Sequence, residues 1–280
     1  MRWIAHASAD DFLATAYPFL RVEPVLNQMP LGFANGAQAD ASRYPGVRFH
    51  SVLGDDGACI GAMARTEGWN PVLSSMPVHA AAFAGARYAE ESPRITGVFG
   101  PESVAAAFTG GAFGPLGLAR VEVEHAMAVF ELRSLLPVPA AAGLRRVATS
   151  EDAGVLQAYL EAFHAEATPL DPAVGPTAGE RYATSGKAHV WVDSGEVVAF
   201  ASFSRDVEGF LSVGPVYTPP ERRGHGYATS LVAEMGALAL AEGRPGCTLF
   251  ADLTNRTSNG IYMRIGYVRV GTMIRYGFRG

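Results

Sequence analysis

The run Arg223-Gly224-His225-Gly226-Tyr227-Ala228 places one guanidinium and two glycines between an apolar stretch over 210–218 and a helix-forming continuation. A strand that turns through glycines into a helix aims free backbone N–H groups at one spot, together with the positive end of the helix dipole. Such a spot binds a phosphate or a pyrophosphate. Glycine serves twice, because the missing Cβ permits a left-handed turn and lets the backbone approach a ligand closely. The chemistry implied is recognition of a phosphate-bearing cofactor by Arg223, Gly224, His225, Gly226, Tyr227 and Ala228, with His225 read as a solvent-facing spacer.

Other phosphate and metal chemistries fit less well. A nucleotide-binding Rossmann loop needs a third Gly or Ala at position 229, where Thr229 stands, and the preceding runs look antiparallel. No Gly-x-x-x-x-Gly-Lys-Ser/Thr run occurs. His164-Ala165-Glu166 has the His-x-Glu spacing of zinc deaminases but no Pro-Cys-x-x-Cys follows, so no metal is expected.

A second constellation follows: Asn255-x-x-Ser258-x-x-Ile261-Tyr262-x-Arg264-x-Gly266-Tyr267. Read alone, Asn255 is an N-cap or turn residue for a short helix, and Tyr262 is a half-buried core tyrosine or a proton donor. Taken in order, the two constellations resemble the GNAT N-acetyltransferase superfamily. Arg223, Gly226 and Ala228 fill its Arg/Gln-x-x-Gly-x-Gly/Ala phosphate loop, and Asn255, the Ile261-Tyr262 pair and Gly266-Tyr267 match its later motif.

The resemblance implies an α/β fold with a mixed sheet whose central strands splay apart around acetyl-CoA as co-substrate. It implies that Val216, Tyr217 and Thr218 present backbone groups to the pantetheine arm and thioester. The amides of 223–228 would hold the pyrophosphate, with charge from Arg223, and Asn255 and Ser258 would lie by the pantetheine. Tyr262 falls where the family often keeps an acid that protonates the departing thiolate. The activity implied is acetyl transfer to an amine of a small molecule or peptide. A cofactor-sensing protein without transfer activity, and a transferase of another acyl group decided by volume near Val213 and Phe250, remain open. The attacking nitrogen must lose a proton. His164, Glu166, Asp206 and Glu208 could supply a base, but each reads first as an ordinary surface charge, and none is singled out as the base.

The elements that must position these residues are legible in the second half. Segment 144–147 reads as a strand, and Thr149 to Asp152 offer N-cap chemistry for a helix to about His164. Runs at 188–192, 197–204 and 210–216, parted by Asp-Ser-Gly and Asp-Val-Glu-Gly, read as antiparallel strands. Ala228, Leu231, Val232, Met235 and Leu238 recur at helical spacing until Gly243 and Pro245. A strand at 248–253, a helix at 258–265 and two strands near 267–270 and 273–278 complete it. The Gly214-Pro215 pair favours a bulge, since proline cannot donate a ladder hydrogen bond.

The first half offers strands at 58–65 and 71–76, a helix at 78–91, and a strand at 94–99 leading to a second helix. It has no glycine-rich strand-to-helix turn like 223–228. Segment 137–143, Pro-Val-Pro-Ala-Ala-Ala-Gly, reads as the join. The expectation is two domains: 1–138, a degenerate GNAT-like α/β domain without a cofactor site, and 144–280, the acetyl-CoA-binding domain.

Composition excludes whole classes. The 280 residues are 49% hydrophobic and 18% charged, which argues for a sizeable core. The second half from Leu144 carries 13 basic and 14 acidic residues and the first half 9 and 13, net −1 and −4, so neither has the basic excess of a nucleic-acid binder. No apolar run reaches the roughly 20 residues that span a bilayer. Cys59 and Cys247 give no disulfide framework. A cytoplasmic protein without membrane or nucleic-acid partners, monomeric or homodimeric, is expected.

Overall fold

The computed structural model describes residues 1–92 and 94–279. Two compact units divide the chain: Met1–Val129 together with the residues from Val270 onward, and Phe130–Arg269. In chain order the first contributes β1 (Arg2–His6), α1 (Ala9–Leu20), α2 (Gln28–Ala39), β2 (Arg48–Leu53), β3 (Cys59–Arg65), β4 (Val72–Leu73), α3 (Val78–Glu91), β5 (Gly97–Pro101) and α4 (Glu102–Phe113). Strand β6 (Arg120–Leu132) carries the chain into the second unit. There follow β7 (Leu144–Val147), α5 (Ala153–Ala167), α6 (Ala178–Thr184), β8 (Ala188–Asp193), β9 (Glu196–Val207), β10 (Phe210–Tyr217), α7 (Tyr227–Ala241), β11 (Cys247–Asp252) and α8 (Arg256–Ile265), and β12 (Val268–Arg279) ends the chain.

Within the first unit, β1 through β4 pair antiparallel in sequence order and β4 pairs parallel with β5 at Val72 and Phe99. Within the second, β7 through β10 pair antiparallel in the same order and β10 pairs parallel with β11. Helices fall at matching places in both successions. The shared succession is what a duplicated α/β mixed-sheet unit produces, and it agrees with the fold the sequence implies.

The last strand departs from expectation. Residues 267–278 read as two short strands of the second half, whereas β12 is continuous and pairs antiparallel with β5 from Met273–Pro101 to Gly277–Gly97. Residues beyond Val270 therefore belong to the first unit, and the unit boundaries fall at 129/130 and 269/270. Segment 137–143 is no free linker either. The Ala141 N–H donates to Ser230 Oγ at 2.8 Å and the Ala142 carbonyl accepts from Trp191 Nε1 at 2.7 Å, so proline and alanine here are a backbone strap laid on the second unit.

The second unit's elements follow from local chemistry. Both hairpins turn on two residues of positive φ, Ser194-Gly195 and Glu208-Gly209, whose twist matches the flanking strands. The chain enters α5 through a capping box of Thr149 and Asp152, and Arg146 grips the buried Asp152 carboxylate with two hydrogen bonds of 2.6 and 2.8 Å. That guanidinium holds the Asp152 carboxyl below the usual carboxylate range. Leu156 and Leu160 of α5, Ala178 and Ala183 of α6, and Val190, Phe200 and Tyr217 of the sheet form one apolar cluster. Helix α7 packs its Leu231, Val232, Met235 and Ala239 into the unit's core.

Candidate active site

Strand β10 sets the site. Its parallel pairing with β11 covers only Leu211–Cys247 and Ser212–Thr248, while β10 runs on to Tyr217 and β11 to Asp252. Its antiparallel register with β9 shifts between Val213 and Val216, across Gly214 and Pro215. Pro215 has no N–H to give a ladder, so the bulge falls where the sequence puts it. The carboxyl ends of β10 and β11 are thus unpaired with each other, with Val216 and Tyr217 on one side. The Oγ1 of Thr218, just beyond, is buried without a hydrogen-bond partner.

From Thr218 the chain makes a short 3-10 turn, Pro220–Arg222, and a glycine loop before α7. Gly224 and Gly226 sit at φ +84° and +83°, the left-handed region that side chains avoid. A Cβ on Gly224 would meet nothing within 4 Å, and one on Gly226 only Ala141 Cβ at 3.7 Å. Backbone conformation, not crowding, is what requires glycine here. Gly226 is the N-cap of the 15-residue α7 and supplies no capping side chain, so no N-cap side chain meets the first-turn amides of Tyr227 and Ala228.

The loop's side chains are tied down by acids. Arg223 donates through Nε to the Thr218 carbonyl at 2.9 Å and through Nη2 to Glu166 Oε2 at 2.7 Å. The other Glu166 oxygen accepts from the Tyr217 hydroxyl at 3.1 Å. Burial, then the Glu166 bond, raises the Tyr217 hydroxyl above its ordinary value. Arg222 pairs with Glu196. His225 stacks on Tyr227 at 5.5 Å and its Nδ1 lies 3.0 Å from the Arg223 carbonyl, which suits a spacer. The Tyr227 hydroxyl donates to Asp193 at the end of β8, which raises the tyrosine and lowers the carboxyl.

The later constellation forms the start and inner face of α8. Asn255 is its N-cap, with Oδ1 accepting from the Ser258 N–H at 3.0 Å. Tyr262 is buried, with its ring against Phe130 at 6.0 Å and Tyr267 at 5.9 Å. Burial pushes its hydroxyl up to about 12.

Of the acids and bases singled out in the sequence, Glu166 is the one brought to this loop, and both its oxygens are engaged there. His164 shares a 3.3 Å contact with Thr168, Asp206 pairs with Arg244, and Glu208 sits in the β9–β10 turn. Val213 is buried on β10 and Phe250 half-buried on β11. Sequence reading did not single out Asp193, Glu196 or Asn259. The first two are ordinary hairpin residues by type. Asn259 donates to the Asp252 carbonyl at 2.9 Å while its Oδ1 is buried without a partner.

Residues 154–267 match the acetyltransferase (GNAT) family model. That part of the chain is a GNAT-family domain. Solved structures with the same fold extend over the whole chain. A Drosophila protein is 15% identical with a TM-score of 0.68, covering 99% of this chain and 97% of its own. A GCN5-related N-acetyltransferase from Sphaerobacter thermophilus is 16% identical with a TM-score of 0.61, covering 99% and 95%. A tandem GNAT protein from the clavulanic acid biosynthesis pathway is 15% identical with a TM-score of 0.54, covering 100% and 98%. At such identities the likeness is one of fold, and the chain has a two-domain GNAT-like fold. No curated protein sequence matches the chain. No helix among the described residues is long and apolar enough to cross a membrane.

Proposed function

We propose that the GNAT domain transfers an acetyl group from acetyl-CoA to an amine of a small molecule or peptide. The observation that carries this reading is the loss of β10–β11 pairing beyond Ser212 and Thr248, next to an uncapped helix N-terminus reached through two left-handed glycines. The donor set fits a diphosphate on a flexible arm. The uncapped N-terminus of α7 offers amides to the anion, and the unpartnered Thr218 Oγ1 offers a buried hydroxyl to the arm.

Acetyl-CoA supplies an activated acetyl thioester. In this reading the backbone of Val216, Tyr217 and Thr218 orients the arm, and the amides from Arg223 to Ala228 neutralise the diphosphate. Asn255 and Ser258 flank the arm at the start of α8. Tyr262 holds its proton throughout the neutral range because burial places it at about 12. A thiol near ~8.5 is the stronger acid, so Tyr262 would stabilise charge on the leaving sulfur as a hydrogen-bond donor and keep its own proton, the thiol gaining through solvent the proton that the attacking amine loses.

The first unit, in this reading, binds no such cofactor. The equivalent link between β4 and α3 is short, its Ser75 N–H already donates to the buried Asn27 Oδ1 at 2.7 Å, and Pro77 stands at the N-cap with no N–H.

Titration calorimetry with acetyl-CoA, against dephospho-CoA and NADH, tests the assignment. Saturable one-site binding of acetyl-CoA alone is expected, followed by thiol release in a panel of amines. Absence of binding would remove the anion-loop assignment. Binding without thiol release from any amine would leave a cofactor sensor.

A further inference from the structure

Arg222, in the turn before the phosphate loop, and Arg223, at its start, are both committed to carboxylates, Arg222 to Glu196 and Arg223 to Glu166. Glu166 lies in the last turn of α5, far from the loop in sequence, and it also accepts from Tyr217 at the end of β10. One carboxylate thereby links α5, the strand that borders the splay and the anion loop.

Resting on the acetyl-CoA reading above, we propose that Glu166 is a positioning residue that holds Arg223 off the anion site, so that a diphosphate binds by taking Arg223 from it. The pair is suited to exchange. Its side chains are 48% and 45% exposed, and exposed ion pairs contribute little to stability because water and salt screen them. A diphosphate seated on the α7 amides presents more charge and a geometry that the planar guanidinium grips with two parallel hydrogen bonds.

The rest of the arrangement survives the exchange. Glu166 keeps the Tyr217 hydroxyl as a donor, so its carboxylate is not stranded. Arg223 Nε, on the Thr218 carbonyl, anchors the side chain near the pivot. The Arg223 guanidinium also lies 5.8 Å from the Tyr217 ring centroid, a face that a cation can slide along. Cofactor arrival therefore changes the partners of the last turn of α5.

A double-mutant cycle tests this by calorimetry, with acetyl-CoA and inorganic pyrophosphate as separate probes. Glu166→Gln keeps the shape and the Tyr217 bond but releases Arg223. It is expected to tighten binding of both probes by about two- to fivefold, the range that an exposed ion pair allows. Arg223→Gln is expected to weaken both. In the Arg223→Gln background the Glu166→Gln gain should vanish. A gain that persists there would reduce Glu166 to a remote repelling charge and overturn the exchange. Weaker or unchanged binding in Glu166→Gln would make it a structural brace and overturn it as well. Pyrophosphate binding with the full cycle but no acetyl-CoA binding would sustain the exchange while the acetyl-transfer reading fails. Failure of both probes to bind overturns both.

Discussion

The hydroxyl of Tyr227, the first residue of α7, donates to the carboxylate of Asp193, the last residue of β8. This bond fixes the helix N-terminus against the sheet, and the N-terminus is where the proposed diphosphate contacts lie. Sequence motifs mark Tyr227 through its neighbours Gly226 and Ala228. They do not mark Asp193, which reads as the entry to a two-residue hairpin turn.

Tyr227→Phe and Asp193→Asn should therefore weaken acetyl-CoA binding by up to about tenfold, the low end of what one hydrogen bond to a charged group contributes, as suits a solvent-screened pair. Calorimetry on both variants measures it. Unchanged affinity in both would mean that the glycine loop holds its shape unaided.

Gly226→Val should weaken acetyl-CoA binding by about tenfold or more while the protein stays folded. The penalty is conformational: φ is +83° and the nearest atom to an added Cβ is 3.7 Å away. A β-branched residue forced into that region costs about 1–2 kcal/mol, or shifts the loop to escape it. Wild-type affinity, with circular dichroism unchanged, would sink the loop assignment.

What the sequence makes legible is local. The turn 223–228, the hairpins at Ser194-Gly195 and Glu208-Gly209 and the bulge at Gly214-Pro215 each announce themselves by residue types that only certain backbones tolerate. Helix α3 has the bounds expected of it, Val78–Glu91. Long-range pairing leaves no such mark. The period-2 pattern of Met273 to Phe278 says strand but not partner, and β5, which it joins, lies far upstream in the first unit. Glu166 illustrates the same limit for the site. Its type suggests a base, whereas its bonds to Tyr217 and Arg223 depend on where α5 ends in space.

Tyr262→Phe should lower kcat by roughly a hundredfold if the hydroxyl serves the leaving sulfur, with acetyl-CoA affinity little changed. Burial holds the hydroxyl at about 12, so in the wild type no loss of activity traceable to this group should appear below about pH 11. Steady-state rates across pH in both proteins check this. An unaltered kcat would make Tyr262 a core aromatic beside Phe130.

Acid should destabilise the chain well before its carboxylates are protonated. Burial lowers His50 to about 4, and the Arg48 and His6 charges add to the effect. Burial beside the Arg145 guanidinium, 2.9 Å from Nδ1, lowers His189 to about 4. An unfolded histidine titrates near ~6.5, so between about 6.5 and 4 the unfolded chain binds more protons than the folded one. The stability these neutral imidazoles contribute is present above about 6.5 and is lost as pH falls toward 4. Urea midpoints measured from pH 7.5 to 5 should fall over that window, and His189→Gln should flatten the fall. A midpoint constant down to pH 5 in the wild type would show that neither imidazole is held neutral by its surroundings.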